Sequence, residues 1–202
     1  MKRLGFNIVL LGMIASGKET QANILKKKYS LKFVESGIYF RKLLKAKGEV
    51  GDLARRTAGK GEAGAMKLMK DFLVKEIAKK PKGKDLLFLG NPRLKPEAQL
   101  LKKMLDARKE DFLAFYIDLS DEEVSKRSFA RKEGGMKAIY KVLDTEKIIK
   151  ARINYHKKQV KGKTVKYFES LGKIKIINGA QSILNVSKDI LEAILAYKNS
   201  RN

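Results

Sequence analysis

The chain of 202 residues reads as a three-layer α/β fold, a five-stranded parallel sheet covered by helices on both faces. Three observations predict it. Five short runs are almost continuously apolar instead of alternating, the pattern of strands buried on both faces. Longer stretches between them repeat apolar residues at helical spacing. Strand and helix signals alternate along the chain, as they do where crossover helices join parallel strands.

The first strand is "FNIVLLG" (6–12), followed by the glycine turn "GMIASGK" (12–18) and an amphipathic helix. Basic residues precede this apolar run, as in a secretory leader. The run is short, however, and passes straight into the glycine turn, so it is read as a buried strand. "LKFVES" (31–36) is the second strand. From about 37 to 66, glycines 48, 51, 59, 61 and 64 mark an excursion from the core, expected to be a mobile flap. A helix is expected over 66–79, then a strand at "DLLFLG" (85–90), a helix over 96–107 and a strand at "FLAFYIDL" (112–119). "KEGGMKAIYK" (132–141) is a second, shorter excursion. The strand "KIKIIN" (173–178) and a helix over 183–197 complete the set, with no repeat or low-complexity block.

Composition bounds the function. With 44% hydrophobic and 34% charged residues the chain is globular, long enough for one core with small inserted lobes. No apolar run approaches the roughly 18 residues of a membrane span. The absence of cysteine excludes a disulfide frame and a thiolate metal site, and fits a reducing cytoplasm. A formal charge of +24 favours anionic partners. Its lysines are spread along the chain, as in "KKK" (26–28), "KKPKGK" (79–84) and "KKQVKGK" (157–163). Aromatic residues make up 8% and tryptophan is absent, which leaves little for base stacking. A solvated lysine-rich surface is therefore expected, with no specific nucleic-acid partner.

The chemistry concentrates in Gly12-x-x-x-x-Gly17-Lys18, which follows a strand and opens a helix. That context makes it a phosphate-binding loop. The glycines let backbone N–H groups curl around phosphate oxygens, the helix N-terminus adds favourable polarity, and Lys18 supplies a cation for the β- and γ-phosphates. In most such loops Ser or Thr directly follows the lysine and helps to hold magnesium. Here Glu19 follows, then Thr20 and Gln21.

"GK-x-TQA" resembles the adenylate kinase family, whose loop commonly reads Gly-x-Pro-Gly-x-Gly-Lys-Gly-Thr-Gln. Thr20 matches the family's threonine, Glu19 replaces a glycine, and Met13, Ile14 and Ala15 replace its small, Pro and Gly residues. The resemblance covers nearly the whole chain. In "FVESGIYFRKLL" (33–44), Ser36, Gly37 and Arg41 match the segment that opens the family's monophosphate flap, with Ile38 for an aspartate. "GEAG" (61–64) falls where that flap closes. "FLGNPR" (88–93) is similar to Asp-Gly-Phe-Pro-Arg: Gly90, Pro92 and Arg93 match, but Leu89 replaces the aspartate. Arg127 and Arg131 fit the Arg-x-x-x-Arg before the lid and share one helix face. "YKVLDTEKIIKARINYH" is similar to the Arg-x-x-Asp…Arg-Leu-x-x-Tyr block, with Lys141 for its first arginine and with Asp144 and Arg152 matching. "INGAQSILNV" (177–186) resembles the turn whose backbone holds the ATP base, with Asn178 for an aspartate.

The resemblance implies a P-loop kinase of nucleoside monophosphates, of short-lid form, performing Mg·ATP + AMP ⇌ 2 ADP as a cytoplasmic monomer. Its core would be 1–36, 67–131 and 142–202, its monophosphate-binding flap 37–66 and its lid 132–141. Phosphoryl transfer needs positioning and charge neutralisation more than covalent chemistry, and guanidinium forks suit phosphate oxygens. On that template Lys18, Arg93, Arg127, Arg131, Lys141 and Arg152 are catalytic. ATP would be bound by Gly12, Ala15, Ser16, Gly17, Lys18, Glu19, Thr20, Arg127, Gly179 and Gln181. The monophosphate would be bound by Ser36, Gly37, Arg41, Gly90, Arg93, Glu97, Gln99, Asp144 and Arg152, and Thr20 would meet magnesium.

Two departures leave alternatives open. The family's base-reading glutamine position holds Glu97, with Gln99 two residues on. A carboxylate only accepts and would suit guanine or cytosine, whereas glutamine suits adenine. AMP is favoured, with GMP, CMP or UMP kinases on the same fold as alternatives. Leu89 replaces the aspartate that orders magnesium's waters in the relatives, and Glu19 or Asp118 could replace it. A low-turnover nucleotide-binding protein is the alternative outside catalysis. The lone His156 is read as a surface or helix-packing residue.

Overall fold

A computed structural model of the chain describes residues 1–57, 63–133 and 145–201. The five expected strands form, all parallel, as β1 (Asn7–Gly12), β2 (Leu31–Val34), β3 (Asp85–Leu89), β4 (Phe112–Asp118) and β5 (Ile174–Asn178). Their order across the sheet is β2-β3-β1-β4-β5, so β1 is central and every residue of it is buried. Val9 pairs with Phe88 of β3 on one side and Ala114 of β4 on the other.

Alternate residues of the central strands feed two cores, because successive side chains point to opposite faces. Val9, Leu11, Phe88, Ala114 and Tyr116 face one layer. That layer is α4 (Ala63–Ala78), α5 (Lys95–Asp106), the wider π turns at His156–Val165 and the short α8 (Lys166–Ser170). Ile8, Leu10, Leu87, Leu113, Phe115 and Ile117 face α1 (Lys18–Lys28) and α9 (Ile183–Asn199). Each large side chain so buried contributes about 1.5–3 kcal/mol. The helices expected at 66–79, 96–107 and 183–197 correspond to α4, α5 and α9.

Element ends differ from the sequence reading where backbone chemistry intervenes. The second strand stops at Val34, and Ser36 begins α2 (Ser36–Lys45), which leads into α3 (Glu49–Thr57). The excursion read at 37–66 thus carries two helices and the start of α4. Gly90 leaves β3 at φ 69°, a left-handed turn open to glycine, and its N–H donates to the Leu10 carbonyl. Helices α6 (Asp121–Glu133) and α7 (Glu146–Tyr155) flank the second excursion, of which residues 134–141 lie outside the described residues. A buried carboxylate anchors the chain start: Asp85 accepts from Arg3, Leu4 N and Gly5 N.

Candidate active site

β1, β3 and β4 end on one side of the sheet, and the glycine loop rises there between β1 and α1. Two of its glycines are required. A Cβ on Gly12 would come 2.6 Å from the Ile117 carbonyl oxygen, and Gly17 turns at φ 83°. Ala15 also holds a left-handed conformation, at φ 56°, which glycine would take without strain. Ser16 is buried beneath the loop.

Lys18 folds back into this loop. Its ammonium donates to the carbonyls of Gly12 (3.0 Å) and Met13 (2.5 Å) and to the Ser16 hydroxyl (3.1 Å). Burial, followed by the charges of Arg93, Arg152 and Arg131, lowers its pKa to about 7, with Glu19 acting in the opposite direction.

A cleft of about 500 Å³ opens above the loop. Of the site residues expected from the sequence, Gly12, Ala15, Lys18, Glu19, Arg41, Gly90, Arg93, Arg131 and Arg152 line it. Their placement follows from the fold: Arg41 comes from α2, Arg93 from the turn after β3, Arg131 from the end of α6 and Arg152 from α7. Arg93 is held on both sides of its main chain. Its N–H donates to the Glu97 carboxylate at 2.7 Å, its carbonyl accepts from the Thr164 hydroxyl at 2.9 Å, and its Nε donates to the Gly90 carbonyl.

Other expected residues lie apart from the lining. Thr20 is exposed in the first turn of α1. Ser36 is buried at the start of α2, and a Cβ on Gly37 would meet Arg41. Glu97 is buried, and one of its oxygens accepts from both Arg93 N and Leu94 N, capping α5. Gln99 is exposed on that helix. The Arg127 guanidinium pairs with Glu123 one turn back, at 2.6 Å. Gly179 packs so closely on β4 that a Cβ would sit 2.7 Å from the Asp118 carbonyl. Gln181 donates to Asn178 O and to Asp189. Asp118 pairs with Lys161 at 2.6 Å. Lys141 and Asp144 lie outside the described residues.

The sequence reading missed Ile14, Tyr155, His156 and Val160, which also line the cleft. The last two continue the stripe of Arg152 at intervals of four, and that periodicity was the available signal. His156, read as a surface or helix-packing residue, is half-buried on the cleft wall. It sits beside the Gly12 backbone, and its Nδ1 lies 3.4 Å from the Tyr116 hydroxyl. Burial, then the charges of Lys18, Arg93 and Arg152, lowers its pKa to about 3, so the ring is neutral at ordinary pH.

Lys18 and four arginines converge on one cleft at the carboxyl edge of a parallel sheet, where α/β folds bind ligands. With the glycine loop, these define a phosphotransferase of the P-loop class. The adenylate kinase family model matches residues 10–173. The adenylate kinase of Parabacteroides distasonis is 31% identical over 189 residues, covering 93% of this chain and 97% of the relative. That of Bacteroides fragilis is 30% identical over 190 residues, and that of Ruminiclostridium cellulolyticum 28% over 216, with 93% of this chain covered in each and 97% and 98% of the relative. The chain belongs to the adenylate kinase family, and with it to the ATP:NMP phosphotransferases.

Among the described residues no group of three or more His, Cys, Asp or Glu side chains could cage a metal ion, and no helix is long and apolar enough to cross a membrane.

Proposed function

We propose that the chain transfers the γ-phosphoryl group of Mg·ATP to AMP, reversibly, giving two ADP. The observation that carries this reading is the convergence of Lys18, Arg41, Arg93, Arg131 and Arg152 on one cleft over the glycine loop. Such a set of cations exceeds what binding one nucleotide requires, and it suits a reaction whose barrier falls mainly through positioning and charge neutralisation.

In this reading Lys18 leaves its own loop carbonyls to meet the β- and γ-phosphates. Arg41 and Arg93 grip the acceptor's phosphate, and Arg131 and Arg152 flank the group in transit. Arg127, Lys141 and Asp144 join from the lid side. Ser36, Gly37 and Gly90 border the acceptor, and Gly179 and Gln181 border the ATP base. Segment 37–66 is the monophosphate flap and 132–141 the lid. AMP is the acceptor in this reading: one oxygen of the Glu97 carboxylate caps α5 through Arg93 N and Leu94 N, and Gln99, two residues on along that helix, is the amide assigned to reading adenine.

The donor set suits magnesium. A hard ion that keeps several waters needs only one or two protein oxygens besides phosphates, and Glu19 lines the cleft with the Thr20 hydroxyl beside it in the same helical turn. When bound, magnesium neutralises charge across the β- and γ-phosphate oxygens. The protein acts as a monomer in the cytoplasm.

Turnover measured with each nucleoside monophosphate across a magnesium titration tests the reading. AMP should give the highest kcat/KM. A clear preference for GMP, CMP or UMP would reassign the acceptor, and absence of transfer to every monophosphate would overturn the kinase reading.

A further inference from the structure

We propose that Glu19 is the carboxylate that orders the divalent cation accompanying ATP, in place of the one missing at Leu89. This rests on the phosphotransferase reading above and names a residue for its metal. Three observations converge on it.

The first is position. Glu19 directly follows Lys18, the place at which phosphate-binding loops usually carry a metal-binding hydroxyl. Its neighbour in sequence is the cation assigned to the β- and γ-phosphates, and both residues line the same cleft, so Glu19 would be among the groups holding an ion that accompanies ATP there.

The second is charge. The cleft is lined by Lys18, Arg41, Arg93, Arg131 and Arg152, and Glu19 is the one carboxylate on that lining among the described residues. A carboxylate facing polyphosphate is repelled unless a cation lies between them.

The third is that the alternatives stand off the cleft lining. β3 ends in the aliphatic Leu89. At the end of β4, Asp118 pairs with Lys161 at 2.6 Å. One oxygen of Glu97 accepts from two backbone N–H groups, which ties that carboxylate to the start of α5.

Manganese titrated into the protein·ATP complex without a monophosphate, with free Mn²⁺ followed by electron paramagnetic resonance, tests the inference. Glu19→Gln should weaken Mn²⁺ binding by about tenfold or more, the scale of losing a metal's supporting carboxylate. Metal-free ATP binding, measured by calorimetry, should stay equal or tighten, which also shows that the variant is folded. Asp118→Asn removes a charge at the adjacent strand end and should leave Mn²⁺ affinity within about twofold. An unchanged Mn²⁺ titration in Glu19→Gln overturns the role of Glu19, as does an equal loss in Asp118→Asn. Failure of the parent protein to bind ATP at all would instead sink the phosphotransferase reading.

Discussion

The Lys18 ammonium lies 3.0 Å from the carbonyl oxygen of Gly12, so the loop's own lysine occupies the space its backbone encloses. Burial first, then Arg93, Arg152 and Arg131, brings its pKa from 10.5 down to about 7. Between those two pH values the unfolded chain holds a proton that the folded chain does not, so stability rises with pH across that window. Below pH 7 the full cost of charging a buried lysine is present. Lys18→Met is therefore expected to be more stable than the nucleotide-free parent at pH 6, by an amount on the order of a few kcal/mol. The gap should shrink steadily as pH climbs from 7 toward 10.5. Urea melts across that range measure it, and a gap independent of pH would mean that Lys18 keeps its proton.

The same loop stores strain at Ala15. Its φ of 56° is left-handed, a conformation that costs an L-residue with a Cβ about 1–2 kcal/mol. Glycine takes it freely but gives up some of that gain through greater freedom in the unfolded chain. Ala15→Gly is expected to stabilise the protein by about 1 kcal/mol, a rise of about 2–4 °C in Tm for a chain of this length. A lower Tm would show that the methyl group contributes packing that outweighs the strain.

The cations should differ in weight. Arg93 has its N–H, carbonyl and Nε all fixed by neighbours and its guanidinium on the cleft wall. Losing one such preorganised donor costs about 10²–10³ in kcat, and the side chain is exposed, so Arg93→Ala should leave Tm almost unchanged. Arg127 is tied to Glu123 on its own helix. Arg127→Ala is expected to lose less than either Arg93→Ala or Arg131→Ala. Steady-state kinetics of the three variants rank them, and an Arg127 loss matching that of Arg93 would show that the Glu123 pair opens during turnover.

Most of the sheet was legible in the sequence because buried parallel strands are written as nearly unbroken apolar runs. β5, expected to be buried, is instead a largely exposed edge strand whose run is broken by lysines, yet each of the five lies within a residue or two of its run. Ser36 marks the limit: an apolar run does not announce that a strand ends two residues early and a helix begins. Loop and arginines were legible because phosphate chemistry restricts residue types at fixed spacings. Glu97 was not. A carboxylate near a substrate-binding motif invites a recognition role, and only the fold reveals that it caps α5 through two backbone donors. His156 was missed for a related reason, since a lone histidine carries no motif and its neighbours, Tyr116 of β4 and the Gly12 backbone, are far from it in sequence.

That histidine sets an acid limit on the fold. Its pKa falls from 6.5 to about 3 because burial comes first and Lys18, Arg93 and Arg152 add to it, against the contact with Gly12. Tyr116, the other titrating group against the ring, is pushed up by burial and by Asp118, so it stays protonated throughout this range. From pH 6.5 down toward 3 the unfolded chain gains a proton at His156 and the folded chain does not, so stability is lost as acid is added. At pH 5 this one residue should account for about 2 kcal/mol of the loss. His156→Gln keeps a polar side chain beside Gly12 and Tyr116 but cannot titrate. The variant's stability difference between pH 7 and pH 5 should therefore be smaller than the parent's by about that amount. Urea melts of both proteins at the two pH values decide it, and parallel losses would assign the acid sensitivity to the carboxylates instead.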